Sequence, residues 1–135
     1  MIDFLLAKDF SKKHIIADLP LCKLMLDDNA NYPWFILIPR IANIIEITDL
    51  KPSQRKQMWL EIEEITQAVQ NLFNPDKMNI ATIGNITPQL HIHIIARFKT
   101  DFAWPKPVWG DQNKKEYTLD QVEKIKKDMY LPIFL

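Results

Sequence analysis

The chain holds one cysteine, Cys22, and two glycines, Gly84 and Gly110, in 135 residues. A lone cysteine cannot close an intramolecular disulfide, so stability has to come from a packed core, as suits a reducing compartment. Two isolated glycines exclude the glycine-rich loops of P-loop and dinucleotide-binding folds, and any phosphate must be held by side chains and a few turn amides. Neither sign of charge dominates. Seventeen Lys and Arg against seventeen Asp and Glu give a formal net charge of zero, which leaves no field to gather a long polyanion and disfavours nucleic acid as a partner. Long apolar runs are also missing. The N-terminal stretch Phe4-Leu5-Leu6-Ala7 is bounded by Asp3, Lys8 and Asp9, too short for a signal h-region or a membrane span. The expected setting is cytoplasmic, with no membrane partner.

What is present fits one domain over residues 1–135, long enough to bury around two-thirds of its unfolded surface. There are no repeats, low-complexity tracts or linkers. Apolar runs at Leu21 to Leu26, Trp34 to Ile38, Met78 to Ile83 and Leu90 to Phe98 predict strands, separated by Asp27-Asp28-Asn29 and Gly84-Asn85 turn signals. The first two are close enough to pair as a hairpin. From Pro52 to Phe73, the residues Trp59, Ile62, Thr66, Val69 and Phe73 recur at steps of three and four, which predicts an amphipathic helix with that face in the core. Thr118-Leu119-Asp120-Gln121 reads as a capping box opening a second helix, with Val122, Ile125 and Met129 inward. This order of elements predicts an α+β fold, an antiparallel sheet layered with two main helices.

The chemistry concentrates in Gln89-Leu90-His91-Ile92-His93-Ile94-Ile95. Side chains alternate along a strand, so Gln89, His91 and His93 are expected on one surface with the apolar residues on the other. Two imidazoles and an amide on one spot suit a histidine nucleophile at a phosphorus centre with hydrogen-bond donors beside it. A zinc site is the competing reading of His-x-His, but His14 and Cys22 are isolated and no Cys-x-x-Cys or His-Glu-x-x-His pattern supplies further ligands. Arg97 falls on the same strand face, able to meet a phosphate or to pair with an acid. Trp104-Pro105-Lys106-Pro107-Val108-Trp109-Gly110 reads on its own as a rigid surface clasp, and Lys126-Lys127 as a solvated face.

The heptapeptide resembles the histidine triad motif, His-φ-His-φ-His-φ-φ with φ apolar, of the HIT superfamily of nucleotide hydrolases and transferases. Lys77 to Asn85 is similar to the family's Asn-containing strand and glycine turn, and Trp34 to Arg40 to its strand ending in a Pro-Lys or Pro-Arg pair. The resemblance is closest to a bacterial subgroup with Asn-x-x-Pro-Gln-Leu-His-x-His followed by Trp-Pro-x-Pro-Val-Trp-Gly. It implies a HIT-like sheet, with His91 as the nucleophile that becomes nucleotidylated and His93 helping to hold the phosphate oxygens. It further implies Asn79 at the phosphate end, Asn85 of the glycine turn among the substrate-binding residues, Asp27 or its neighbour Asp28 on the ribose hydroxyls, and Trp104 or Trp109 walling the pocket. The sequence departs from the family at two positions: Gln89 stands for the first histidine, as a neutral donor to phosphate, and Ile86 for a Ser or Thr whose contact Thr87 would have to replace. The implied substrate is a purine mononucleotide derivative, such as a phosphoramidate, or a dinucleoside polyphosphate. No cofactor is required, though a divalent ion can enter with the substrate's phosphates. A homodimer is implied, and a nucleotide-binding module without turnover is the alternative function.

Overall fold

The computed structural model describes residues 3–129 and 131. Five strands, β1 (His14–Asp18), β2 (Cys22–Leu26), β3 (Trp34–Pro39), β4 (Lys77–Ala81) and β5 (Ile92–Arg97), form one sheet with two helices, α1 (Pro52–Phe73) and α2 (Leu119–Asp128). The sheet order is β1-β2-β3-β5-β4 with every neighbouring pair antiparallel, which is the expected α+β arrangement. The hairpin of β2 and β3 forms as its short connection predicts.

Both faces of the sheet are covered, which explains why β3 reads as an unbroken apolar run and not as an alternation. On one face Leu24, Phe35, Leu37, Ile92 and Ile94 pack with Ile62, Ile65 and Val69 of α1. On the other, Met25, Trp34, Ile36 and Ile95 pack with Tyr32 and Val108 from loops and with Phe10 from the short 3-10 turn Lys8–Phe10. Among the described residues this second face carries no α-helix, and a cleft opens there.

Four details differ from the sequence reading. The edge strand β1 was not predicted, because His14-Ile15-Ile16-Ala17-Asp18 is short, half-buried and broken by a register shift between Ile15 and Ala17. Trp59 lies on the outward face of α1, 49% exposed, and the buried stripe is Met58, Ile62, Ile65, Ala68 and Val69 together with Glu61. Glu61 is fully buried, its carboxyl oxygens accepting the backbone N–H groups of Leu21 at 2.9 Å and Cys22 at 2.7 Å. Finally, β4 stops at Ala81 and β5 starts only at Ile92, so Leu90 and His91 precede the strand.

Helix ends follow local chemistry. Thr118 accepts the N–H of Gln121 at 3.2 Å while Gln121 accepts that of Thr118 at 2.9 Å, the reciprocal capping box that the sequence implied. Asn74 closes α1 in the left-handed region at φ 48°. Val122 and Met129 of the last segment are buried.

Candidate active site

β5 places His93 between Ile36 of β3 and Ala81 of β4, on the sheet face opposite α1. His91, just before the strand, comes beside it, with ring centroids 4.9 Å apart. The two imidazoles share a cleft of about 820 Å³. Asp27 and Asp28 at the end of β2, Asn85 and Thr87 of the turn after β4, and Trp109 line the same cleft. Gly84 begins that turn at φ 71°, a left-handed conformation that glycine adopts without strain.

The hydrogen bonds fix the proton on each ring. A backbone carbonyl only accepts, so the 2.7 Å contact between His91 Nδ1 and the Gln89 carbonyl puts the proton on Nδ1 and leaves Nε2 as the lone-pair nitrogen. An indole N–H only donates, so the 2.9 Å bond from Trp34 Nε1 to His93 Nδ1 puts the His93 proton on Nε2. The neighbouring rings therefore present opposite characters, one basic nitrogen and one N–H donor. Burial lowers the pKa of His91 below the ordinary histidine value, opposed by the Gln89 carbonyl and reinforced by the charge of Lys13. Burial, then His91 and Lys13, bring His93 down to about 3. Both rings are neutral near pH 7. Phe10 meets the His91 ring edge-on at 5.0 Å and Trp109 meets His93 at 4.8 Å, so aromatic walls hold the pair on both sides.

The two aspartates have different surroundings. Asp28 Oδ1 is bonded to His14 Nε2 at 2.9 Å and accepts the backbone N–H of Tyr117 at 2.9 Å. Burial alone would raise its pKa, but the His14 and Tyr117 bonds outweigh it and hold the carboxyl below the usual range. Asp27 is ion-paired through Oδ1 with Lys13. Asp28 thus ties β1 to the segment before α2 through Oδ1 alone, Asp27 pairs with Lys13 through Oδ1, and in both the Oδ2 lies outside these bonds.

Several predicted site residues are placed elsewhere. Gln89 does not line the cleft: its Nε2 donates to the Leu5 carbonyl and its Oε1 accepts the Ala7 N–H, each at 2.8 Å. Both polar atoms are consumed by backbone, which removes the expected free donor to phosphate. Asn79, opposite Ile95 in the register, accepts from Arg97 Nη1 at 2.9 Å and lies outside the cleft lining. Arg97 is 1% exposed and forks onto Asp101, Nε to Oδ2 at 2.8 Å and Nη2 to Oδ1 at 3.0 Å, between the rings of Tyr32 and Trp104. It is the strand-exit ion pair, not a phosphate ligand. Trp104 faces a separate shallow groove that shares Trp109 with the cleft. Thr87 lines the cleft, but its hydroxyl donates to Asp9 Oδ2 at 2.5 Å, so that proton is not available to a leaving group. Ile86 is 91% exposed and supplies no polar contact. Sequence reasoning missed Phe10, Lys13 and Trp34: the first two come from a polar stretch without periodicity, and Trp34 read only as a strand residue. Among the described residues no group of three or more His, Cys, Asp or Glu side chains converges to hold a metal ion, and no helix is long and apolar enough to cross a membrane.

Comparison with known proteins identifies the fold and the family. Two solved structures match along essentially their whole length. A histidine triad protein from Bradyrhizobium japonicum is 38% identical, with 95% of this chain and 96% of that one covered at a TM-score of 0.92. One from Marinobacter aquaeolei VT8 is 35% identical, with 99% and 100% covered at 0.94. Among curated proteins, the asymmetrical bis(5'-nucleosyl)-tetraphosphatase of Schizosaccharomyces pombe is 28% identical over 89 residues, 62% of this chain and 48% of that one. The bifunctional bis(5'-adenosyl)-triphosphatase/adenylylsulfatase of Arabidopsis thaliana is 24% identical over 114 residues, 81% of this chain and 63% of that one. The chain therefore spans about half the length of the first curated relative and under two-thirds of the second. The HIT domain profile matches residues 9–100, from the segment that walls the cleft through both histidines, and the chain belongs to the HIT domain family.

Proposed function

We propose that this protein hydrolyses or transfers nucleotide derivatives at the α-phosphate through a nucleotidyl-His91 intermediate, within the HIT subgroup that carries glutamine at the first triad position. The reading is carried by the opposed tautomers of His91 and His93, set by the Gln89 carbonyl and the Trp34 indole. His91 Nε2 attacks the α-phosphorus, an N–P bond forms, and the bond to the leaving group breaks. His93 Nε2–H stabilises the oxyanion or protonates the leaving group, and that proton is regained when water displaces His91 and releases the nucleoside monophosphate. A neutral imidazole needs orientation more than activation to act as a nucleophile near pH 7, and its Nδ1–H bond to the Gln89 carbonyl supplies that orientation.

Dinucleoside polyphosphates are the favoured substrates, because the curated relatives are named for them. A purine phosphoramidate fits the same chemistry. Asp27 is the proposed ribose ligand, since its carboxylate has one partner, Lys13, where that of Asp28 has two, His14 and Tyr117. No resident metal is needed for the step, and a divalent ion would arrive with the phosphates. We also propose a homodimer: β4 is an edge strand, and Ile80 and Ile83, at and beyond its end, are 47% and 48% exposed. Light scattering should give twice the 15.9 kDa chain mass.

The test is rapid quench with diadenosine tetraphosphate carrying label at the α-phosphate. Wild type should yield an acid-labile, alkali-stable adenylyl-protein, and His91→Ala should yield none while nucleotide affinity stays within about tenfold. Wild-type turnover in His91→Ala would end the covalent mechanism. Tight binding with no turnover by the wild type would identify a nucleotide-binding module.

A further inference from the structure

The N-terminal arm, residues 3–13, crosses the sheet face that carries no α-helix and reaches the mouth of the cleft with the 3-10 turn Lys8–Phe10. Its apolar residues Phe4, Leu6 and Phe10 pack with Trp34, Ile36 and Val108, and Phe10 ends against His91. Two side chains of the segment before β5 fasten it. Gln89 grips the backbone on either side of residue 6 through the Leu5 carbonyl and the Ala7 N–H, and Thr87 donates to Asp9. Beyond the fastened stretch the arm delivers Lys13 to the cleft, where it pairs with Asp27.

A primary amide suits this grip. It offers one acceptor and one donor side by side, as the peptide group of a neighbouring strand would, and its orientation is unambiguous because Leu5 O only accepts and Ala7 N only donates. An imidazole at position 89 would exchange its acceptor for a second donor on protonation and lose the Ala7 bond. The residue that breaks the triad pattern therefore has a use of its own, outside the cleft.

We infer that Gln89 is a positioning residue that latches the N-terminal arm, and that the arm so held presents Lys13 as a substrate-binding cation for the phosphates beyond the scissile one. The inference rests on the proposed nucleotide chemistry for its substrate, and on the two grips and the ion pair for its geometry. Lys13 lines the same cleft as His91 and His93, and its charge bears on both rings, so an anion bound in that cleft shares it with Lys13. Its resting partner Asp27 is the proposed ribose ligand. When a polyphosphate enters, Lys13 transfers from carboxylate to phosphate and releases Asp27 for the hydroxyls.

The test uses the full chain and the variants Gln89→Ala, Lys13→Met, their double and Lys13→Arg. Exchange of the Ala7 amide with solvent, read by NMR, should be at least about tenfold faster in Gln89→Ala, because its hydrogen-bond acceptor is gone. With diadenosine tetraphosphate, kcat/KM should fall about tenfold in each single variant, mainly through KM, as for a lost hydrogen bond to a charged group. The double variant should fall no further than either single, Lys13→Arg should keep most of the activity, and the salt dependence of kcat/KM should flatten equally in both single variants. Adenosine 5'-phosphoramidate has no further phosphate and should be affected about threefold or less. An Ala7 amide still protected in Gln89→Ala, losses that multiply in the double variant, or equal losses on both substrates would overturn the inference. Should the wild type turn over neither substrate, the proposed function fails and the latch is judged separately. Inorganic tripolyphosphate should then bind about tenfold more weakly to both single variants by calorimetry, and unchanged affinity would reject the Lys13 role.

Discussion

Trp34→Phe tests the proton arrangement on which the proposed chemistry depends. The substitution keeps an aromatic ring in β3 and removes the one N–H that points at His93 Nδ1. Trp34 is 9% exposed and His93 7%, so water cannot readily replace the donor. Leaving a buried acceptor unsatisfied costs about 1 to 3 kcal/mol, and the smaller ring adds a cavity term of similar size. A fall in unfolding free energy of about 2 to 6 kcal/mol is therefore expected, read by urea titration at pH 7.5. The sharper effect is on the tautomer. Without the indole nothing prevents His93 from carrying its proton on Nδ1, where it cannot serve a leaving group in the cleft. Long-range nitrogen–proton couplings in histidine-labelled protein should show Nε2–H for His93 and Nδ1–H for His91 in the wild type, and a mixed His93 signal in Trp34→Phe. Turnover should drop at least about tenfold, as for losing one aligned donor. Finding His93 as the Nδ1–H tautomer in the wild type would refute the reasoning, whatever the activity of the variant.

Three further outcomes follow from buried polar groups. Both site histidines have a lower pKa folded than unfolded, so below pH 6.5 the unfolded chain binds more protons; stability should be level above pH 6.5 and fall below it, His93 contributing up to about 1.4 kcal/mol per pH unit down to its folded pKa of about 3 and His91 adding to the fall just below pH 6.5. His93→Gln should flatten that slope between pH 6.5 and 4, and an identical slope in the variant would reject burial as its cause. Asp101→Asn strands the buried Arg97 guanidinium and should cost about 3 to 5 kcal/mol with loosening of the 98–111 loop, seen as earlier proteolysis there. Glu61→Leu leaves the Leu21 and Cys22 N–H groups without acceptors and should cost about 2 to 5 kcal/mol by urea unfolding, whereas Glu61→Gln should cost less.

Much of the sheet was legible because strand propensity and burial agree there. β2, β3 and β5 are apolar runs bounded by turn residues, and α1 carries its period over 22 residues. The parts that were not legible are those where a polar group has a partner far away in the chain. Glu61 reads as one charge among several on α1, and only the fold shows that it faces the backbone 40 residues earlier. Trp59 fits the helical period as well as Ile62 does, and its exposure is decided by which neighbouring turn of α1 meets the sheet. β1 lacked a signal because an edge strand buries half its surface and tolerates a bulge.

The candidate site divides along the same line. His91 and His93 are two residues apart, so strand geometry alone brings them together, and Asp27 and Trp109 were reached through family resemblance. Gln89, Asn79 and Arg97 share that neighbourhood in sequence, yet each is drawn away by a partner: the backbone at Leu5 and Ala7, the guanidinium of Arg97, and the carboxylate of Asp101. A polar side chain on the correct strand face is available to a ligand only if the protein has not already satisfied it. Counting hydrogen bonds separates the two cases. His91 has one nitrogen bonded, at Nδ1 to Gln89, and His93 has one, at Nδ1 to Trp34. Each keeps its Nε2 outside those bonds, whereas both polar atoms of the Gln89 amide are taken. That difference, not the motif position, leaves the two histidines open to a ligand and the glutamine occupied by the arm.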